Sequence, residues 1–215
     1  MKTVEAGLKT HKPVATVGPA QDDQLKSEAD KYERTWTIPW YRRVSPAYRS
    51  RQKIFEWVER HNIKSIVDFG CGKGQIDLEL ARSGIKVHMI DIASNCLDRD
   101  VRAAVDKGEL PITFEQRCLW SPNIENNKAD GVLCIDLLEH LPPNRVAKVI
   151  RKIKLVAPHG FVNAALFPHV VNEHDLHLTV ESASWWAAFF PDAEIRETQE
   201  FETDNPASSH VYMEW

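Results

Sequence analysis

Ser65-Ile66-Val67-Asp68-Phe69-Gly70-Cys71-Gly72-Lys73-Gly74 decides the fold. A short apolar run ends in an acid, and three alternate glycines follow before the helical pattern beginning at Gln75. Glycine tolerates positive φ and close backbone approach, so such a strand-to-helix turn can wrap a phosphate- or nucleoside-like ligand at a helix amino terminus. Taken alone, the triplet is weak evidence and is also compatible with a plain tight strand-to-helix turn.

Outward from it, apolar strands and helices alternate. Strands are expected at Ser65 to Phe69, Lys86 to Asp91, Thr113 to Cys118, Gly131 to Ile135 and Phe161 to Leu166. Helices are expected at Gln75 to Ser83, Cys96 to Lys107 and Asn144 to Leu155, the last with Val146, Val149, Ile150 and Ile153 on one face. Repetition at this pitch implies an α/β protein with a parallel sheet wrapped by helices. Glu194 to Glu202 and Ser209 to Trp215 read as a terminal hairpin closing that sheet.

The second strand, Val87-His88-Met89-Ile90-Asp91, ends in an acid 23 positions after Asp68. A carboxylate there can accept both ribose hydroxyls of an adenosine. The glycines fall at G-x-G-x-G rather than G-x-G-x-x-G, which disfavours a dinucleotide pyrophosphate.

With these residues the chain resembles the class I S-adenosylmethionine-dependent methyltransferases, over roughly Ser45 to Trp215. Their acid-G-x-G-x-G motif is matched by Asp68 to Gly74 and their ribose acid by Asp91. Ala129-Asp130-Gly131-Val132-Leu133-Cys134-Ile135-Asp136-Leu137-Leu138-Glu139-His140-Leu141 matches their fourth-strand motif. Val156-Ala157-Pro158-His159-Gly160 resembles the turn before the fifth strand, with His159 in place of a glycine. The resemblance implies a Rossmann-like, seven-stranded, mostly parallel sheet in the order 3-2-1-4-5-7-6. It further implies S-adenosylmethionine as cofactor, with contacts from Asp68, Gly70, Cys71, Gly72, Asp91, Ile92, Leu119 and Asp136. Where family members carry an acid that meets the adenine amine, this chain has Cys118-Leu119-Trp120.

A sulfonium methyl group needs only an aligned acceptor and exclusion of water; for an oxygen or nitrogen acceptor a general base helps. His140 follows the fourth strand at the carboxyl edge, where open parallel sheets bind ligands. Three further histidines, His169, His174 and His177, fall within nine residues after the fifth strand. His140 and His177 are therefore the catalytic candidates, whereas His61, His88 and His159 read as structural or solvated. Asp136, Glu139 and His140 with His174 or His177 would also form an oxygen and nitrogen set suited to magnesium or manganese, similar to the E-x-x-E-H plus distal His site of small-RNA 2'-O-methyltransferases and ubiquinone-pathway O-methyltransferases. Leu-Glu-His also occurs where no metal binds, and no metal ligand is assigned on this ground.

The chain has 215 residues and a formal charge of −4, from 27 Lys plus Arg against 31 Asp plus Glu, enough for one domain and no global reason to bind a polyanion. Residues 1–34 are polar and read as a mobile tail. Residues 35–62, with Trp36, Trp40, Tyr41, Arg42 and Arg43 and a helix from Pro46 to His61, read as a cover for the cleft, and residues 63–215 as the methyltransferase domain. Trp185, Trp186, Phe189 and Phe190 form a packing stripe. Cys71, Cys96, Cys118 and Cys134 contain no C-x-x-C pair and read as reduced and mostly buried. No stretch approaches the roughly 20 apolar residues of a spanning helix, and no secretory leader is evident, so a cytoplasmic location with no membrane partner is expected.

The leading functional reading is methyl transfer to an oxygen or nitrogen of a small polar acceptor such as a sugar or nucleotide. Two alternatives stay open: a nucleic-acid methyltransferase, of the metal-assisted 2'-O type among others, and a non-catalytic cofactor-binding partner subunit. Sequence does not address oligomeric state.

Overall fold

A computed structural model describes residues 19–43, 46–121, 123–199 and 209–215. Seven strands form one sheet: β1 (Ser65–Phe69), β2 (Lys86–Asp91), β3 (Ile112–Gln116), β4 (Gly131–Cys134), β5 (His159–Ala165), β6 (Glu194–Gln199) and β7 (Ser209–Glu214). Their order is β3-β2-β1-β4-β5-β7-β6, the expected one; two further two-residue strands, Val170–Val171 and His174–Asp175, pair with each other outside the sheet. β1 to β5 run parallel, with Asp68 beside Met89 on one side and Leu133 on the other. β7 pairs antiparallel with β5 and with β6, as the hairpin reading required; the turn expected at Thr203 to Pro206 lies outside the described residues.

All four residues of β4 are buried, as a central parallel strand covered on both faces must be. On one face pack α3 (Arg51–Arg60), α4 (Gln75–Arg82) and α5 (Arg99–Lys107), with Ile54, Trp57, Ile76, Leu80 and Val101 fully or almost fully buried. On the other face α6 (Pro143–Val156) sets Val146, Val149, Ile150, Ile153 and Val156 into the core, the stripe its periodicity predicts. Pro143 opens α6 with φ already suited to a first helical turn. Each such aliphatic side chain contributes roughly 1.5–3 kcal/mol by leaving water. Trp186, in the short α7 (Ala183–Ala187), and Phe190, just after it, are buried in the same core, so this aromatic stripe is packing. Cys71, Cys96 and Cys134 are buried and Cys118 half-buried, all as free thiols.

Three local expectations are corrected. Residues 19–34, read as part of a mobile tail, belong to the helix α1 (Pro19–Thr35); residues 1–18 lie outside the described residues. The sequence of α1 lacks an apolar stripe because its inward side meets polar loops. The Glu33 carboxylate accepts from Ser94 Oγ at 2.8 Å and Gln116 Nε2 at 3.2 Å, and Asn95 Nδ2 donates to the Glu33 carbonyl at 2.9 Å. The single helix expected from Pro46 is two, α2 (Pro46–Arg49) and α3, separated at Ser50, whose buried hydroxyl lies 3.2 Å from that of Tyr212. The expected cap at Ser45 lies outside the described residues. α5 begins at Arg99 rather than Cys96, because the carbonyls of Asn95, Cys96 and Leu97 turn outward to accept from the Arg42 guanidinium, each at 3.1 Å. That guanidinium also bonds Asp98 Oδ1 at 3.0 Å, so Arg42 is a latch between the amino-terminal segment and the sheet rather than a solvated charge.

Candidate active site

The glycine turn reaches its shape through positive φ at Gly70, Gly72 and Gly74. At Gly70 a side chain would also collide with Leu137, whose Cδ2 lies 2.7 Å from the position of a Cβ. The turn therefore brings bare backbone to the carboxyl edge of the sheet. There a cleft is lined by Gly70 and Gly72, by Asp91 and Ile92 after β2, by 117–120 after β3, by Asp136, Leu137, His140 and Leu141 after β4, and by Glu28, Tyr32, Trp36 and Tyr41 from the amino-terminal segment.

Asp91 is nearly buried, and its two oxygens are held in place: Oδ2 accepts from Gly72 N at 3.0 Å and Oδ1 from Ala93 N at 2.9 Å. Burial pushes its carboxyl up to about 6, against the pull of the amides of Ala93, Gly72 and Ile92. Of the residues expected at the cofactor, Gly70, Gly72, Asp91, Ile92, Leu119 and Asp136 line this cleft. Asp68 and Cys71 do not. Asp68 lies buried beneath the turn with its carboxyl against that of Asp77, and burial together with this neighbour holds it well above the usual carboxylate range. Cys71 is packed against Cys96.

Asp136 adopts φ of 48°, a left-handed conformation uncommon for a residue with a side chain. Its amide donates to Asn163 Oδ1 at 2.6 Å, and its Oδ1 lies 3.4 Å from His210 Nε2. Local strain held by neighbouring groups in this way is common at functional sites.

The histidine candidates do come together. The rings of His140 and His177 lie 4.9 Å apart, and that of His169 lies 5.2 Å from His177 and is stacked 6.5 Å from Tyr41. His140 lines the cleft; His177 lies beside it, outside the lining residues, and His174 is exposed on the second of the two short paired strands. Burial keeps His140 far below its usual pKa and His177 below its own, so both rings are neutral near pH 7. His140 Nδ1 lies 2.8 Å from the Tyr32 hydroxyl, and its ring also bonds the Leu176 carbonyl. His177 Nδ1 donates to the Phe167 carbonyl at 2.6 Å, which leaves a lone pair on Nε2. Of the two, His177 is better prepared to accept a proton.

Glu139, His140 and His177 each offer a ligand atom within 4.8 Å of the others. Glu139 is fully buried; Oε1 accepts from Ala165 N at 3.0 Å, while Oε2 has no partner. That orphaned oxygen suits a cation, and His177 rather than His174 is the distal histidine that reaches it. A second group, Cys71, Asp91 and Cys96, is not comparable, since both Asp91 oxygens already accept backbone hydrogens. Tyr32 and Glu28 were not singled out from sequence; the spacing of Glu28, Tyr32 and Trp36 by single helical turns is the signal that would have placed them on one face.

The sheet order, the glycine turn and the fixed acid after β2 define a Rossmann-like fold with a nucleoside-type cleft. Residues 66–160 match the family model of the methyltransferase domain. It is similar to the ubiquinone biosynthesis O-methyltransferase of Proteus mirabilis, 31 % identical over 106 residues, covering 46 % of this chain and 40 % of that one. The corresponding protein of Chromobacterium violaceum is 26 % identical over 187 residues, covering 78 % of each. In the Proteus mirabilis comparison the match spans well under half the length of the curated relative. Among solved structures, the Burkholderia thailandensis 1,6-didemethyltoxoflavin-N1-methyltransferase, crystallised with S-adenosylhomocysteine, gives a TM-score of 0.65 at 15 % identity over 98 % of this chain and 92 % of that one. The magnesium protoporphyrin IX methyltransferase of Synechocystis with bound S-adenosylmethionine gives 0.63 at 16 % identity, covering 93 % and 98 %. At these identities both bear on the fold alone. Among the described residues no helix is long and apolar enough to cross a membrane.

Proposed function

We propose that this chain transfers the methyl group of S-adenosylmethionine, by direct displacement at carbon, to an oxygen or nitrogen of a small polar molecule. The observation that carries the reading is Asp91, whose carboxylate two backbone amides fix at the mouth of a cleft floored by side-chain-free glycines. The ribose diol would donate to Asp91, with Gly70 and Gly72 passing close to the sugar and amino-acid part, Ile92 and Leu119 against adenine, and Asp136 at the amino-acid end. The ubiquinone biosynthesis O-methyltransferases that the chain resembles support an oxygen acceptor.

In the chemistry, a lone pair on the acceptor forms the new bond to carbon while the carbon–sulfur pair returns to sulfur. His177 Nε2, with its lone pair free, would take the acceptor proton, and His140 would border the reacting atoms. Trp36, Tyr41 and α1 border the cleft and would limit the access of water to the reacting atoms. Calorimetry with S-adenosylhomocysteine tests the reading: binding by the wild type and its loss in Asp91→Ala are expected, and unchanged affinity in that variant rejects the ribose assignment. Incubation with labelled cofactor and metabolite extract, followed by mass spectrometry for a product heavier by one methylene, then identifies the acceptor.

The unpartnered Glu139 Oε2 favours a second reading, in which Glu139, His140 and His177 would hold a divalent cation such as magnesium, whose chemistry there would be Lewis-acid stabilisation of the acceptor oxygen. Occupancy there would compete with the Tyr32 and Leu176 bonds of His140. Activity indifferent to chelator removes this reading.

A further inference from the structure

Resting on the cofactor reading above, we infer that Glu28, on the amino-terminal helix, is the residue that recognises the adenine amine, in place of the acid absent after β3. Among the described residues three carboxylates line the cleft: Glu28, Asp91 and Asp136. Asp91 is committed to the ribose end by its bonds to Gly72 and Ala93, and Asp136 stands after β4, its backbone amide on Asn163 Oδ1 and its carboxylate 3.4 Å from His210 Nε2. The base of a nucleoside whose sugar lies at Asp91 extends past Ile92 toward 117–120, opposite to Asp136. The side chains that β3 sends to that end are Arg117, Cys118, Leu119 and Trp120. None of them offers a carboxylate.

Glu28 faces this gap from across the cleft. It lies near enough to Cys118 and Tyr32 for its charge to raise both, although burial is the larger cause in each case. Tyr32, one turn further along α1, reaches His140 at the opposite end, so the helix runs along the cleft with Glu28 at the adenine side. Lys31 holds the Glu28 carboxylate in an ion pair at 2.5 Å, with side-chain exposures of 15 % for Lys31 and 20 % for Glu28, so the acid is partly shielded but still reachable. A carboxylate only accepts hydrogen bonds, which suits a 6-amino purine and repels a 6-oxo purine. The helix would thus be both the roof of the cleft and a determinant of which nucleobase enters it.

The experiment measures dissociation constants of S-adenosyl-L-homocysteine and S-inosyl-L-homocysteine by calorimetry for wild type, Glu28→Ala and Glu28→Gln. A charge-assisted hydrogen bond predicts roughly tenfold or greater weakening of the adenosyl ligand in Glu28→Ala. The adenosyl-to-inosyl preference should shrink by a similar factor. Glu28→Gln, whose amide can donate to an oxo group, should shift preference further toward inosyl. Wild-type constants and preference in both variants overturn the inference while leaving the cofactor reading intact. If the wild type binds neither ligand, the cofactor reading fails and takes this inference with it.

Discussion

The Tyr32 hydroxyl lies 2.8 Å from His140 Nδ1, joining a helix near the amino terminus to a residue 108 positions later at the carboxyl edge of the sheet. Burial holds the Tyr32 phenol well above its ordinary range, so it is a proton donor at any working pH, and His140, kept neutral by burial, is the acceptor. A donor to the neutral ring disfavours imidazolium. In Tyr32→Phe the His140 titration should therefore move upward, read by histidine ring NMR, and the orphaned nitrogen should cost roughly 1–3 kcal/mol of stability. An unmoved titration would mean that the helix does not govern this ring.

Cofactor affinity should depend on pH through Asp91. A diol donates more strongly to a carboxylate than to a carboxylic acid, and burial places this group at about 6. Affinity for S-adenosylhomocysteine should then be level above that value and weaken about tenfold per pH unit below it. Asp91→Asn should bind weakly with a flat profile between pH 5 and 7. A wild-type profile equally flat contradicts the assignment of Asp91 to the diol.

Asp68 and Asp77 place two buried carboxyls in contact beneath the glycine turn, and burial raises both. The folded state therefore holds protons that the unfolded chain releases at lower pH, so stability falls as pH rises from the unfolded carboxylate value toward the raised folded ones. Asp77→Asn removes one titrating partner and supplies an amide donor to Asp68. It should melt higher than wild type at pH 8.5, by about 2–4 °C for each ~1 kcal/mol gained, and show little gain at pH 5. A variant less stable at both values would show that the pair contributes as a hydrogen-bonded unit sharing one proton.

The framework was legible because parallel strands, buried on both faces, are written as continuous apolar runs, and because Gly70, Gly72 and Asp91 sit at strand ends where register leaves little freedom. β4 and α6 fell within a residue or so of expectation. The roof was not legible. α1 docks through Glu33, Tyr32 and its own carbonyls onto residues 61 to 108 positions away, and a polar helix held by such distant groups has the composition of a tail. Likewise Asp68 is expected at the cofactor through its place in the acid-G-x-G-x-G motif, whereas its partner Asp77, which holds it beneath the turn, lies on the inward side of α4 and carries no motif. The histidines were correctly grouped by position, but their hydrogen bonds, which separate a saturated ring from an available one, depend on the carbonyls of Phe167 and Leu176 in loops with no periodicity.

That difference between the two rings predicts unequal variants. His177 presents Nε2 with a lone pair because a carbonyl fixes the proton on Nδ1, while His140 is held by Tyr32 and Leu176 and borders the cleft. If His177 is the base, His177→Ala should lower kcat by roughly 10²- to 10⁴-fold on an acceptor that must lose a proton, with S-adenosylhomocysteine affinity unchanged. The loss should shrink on an analogue of that acceptor acidic enough to be ionised already, since no proton then has to be removed. His140→Ala should disturb both kcat and the docking of α1, visible as weaker cofactor binding, because it removes the group that Tyr32 grips. Equal losses of kcat in both variants, insensitive to acceptor acidity, would instead favour shared coordination of a cation with Glu139, and added magnesium or a chelator would then change the wild-type rate.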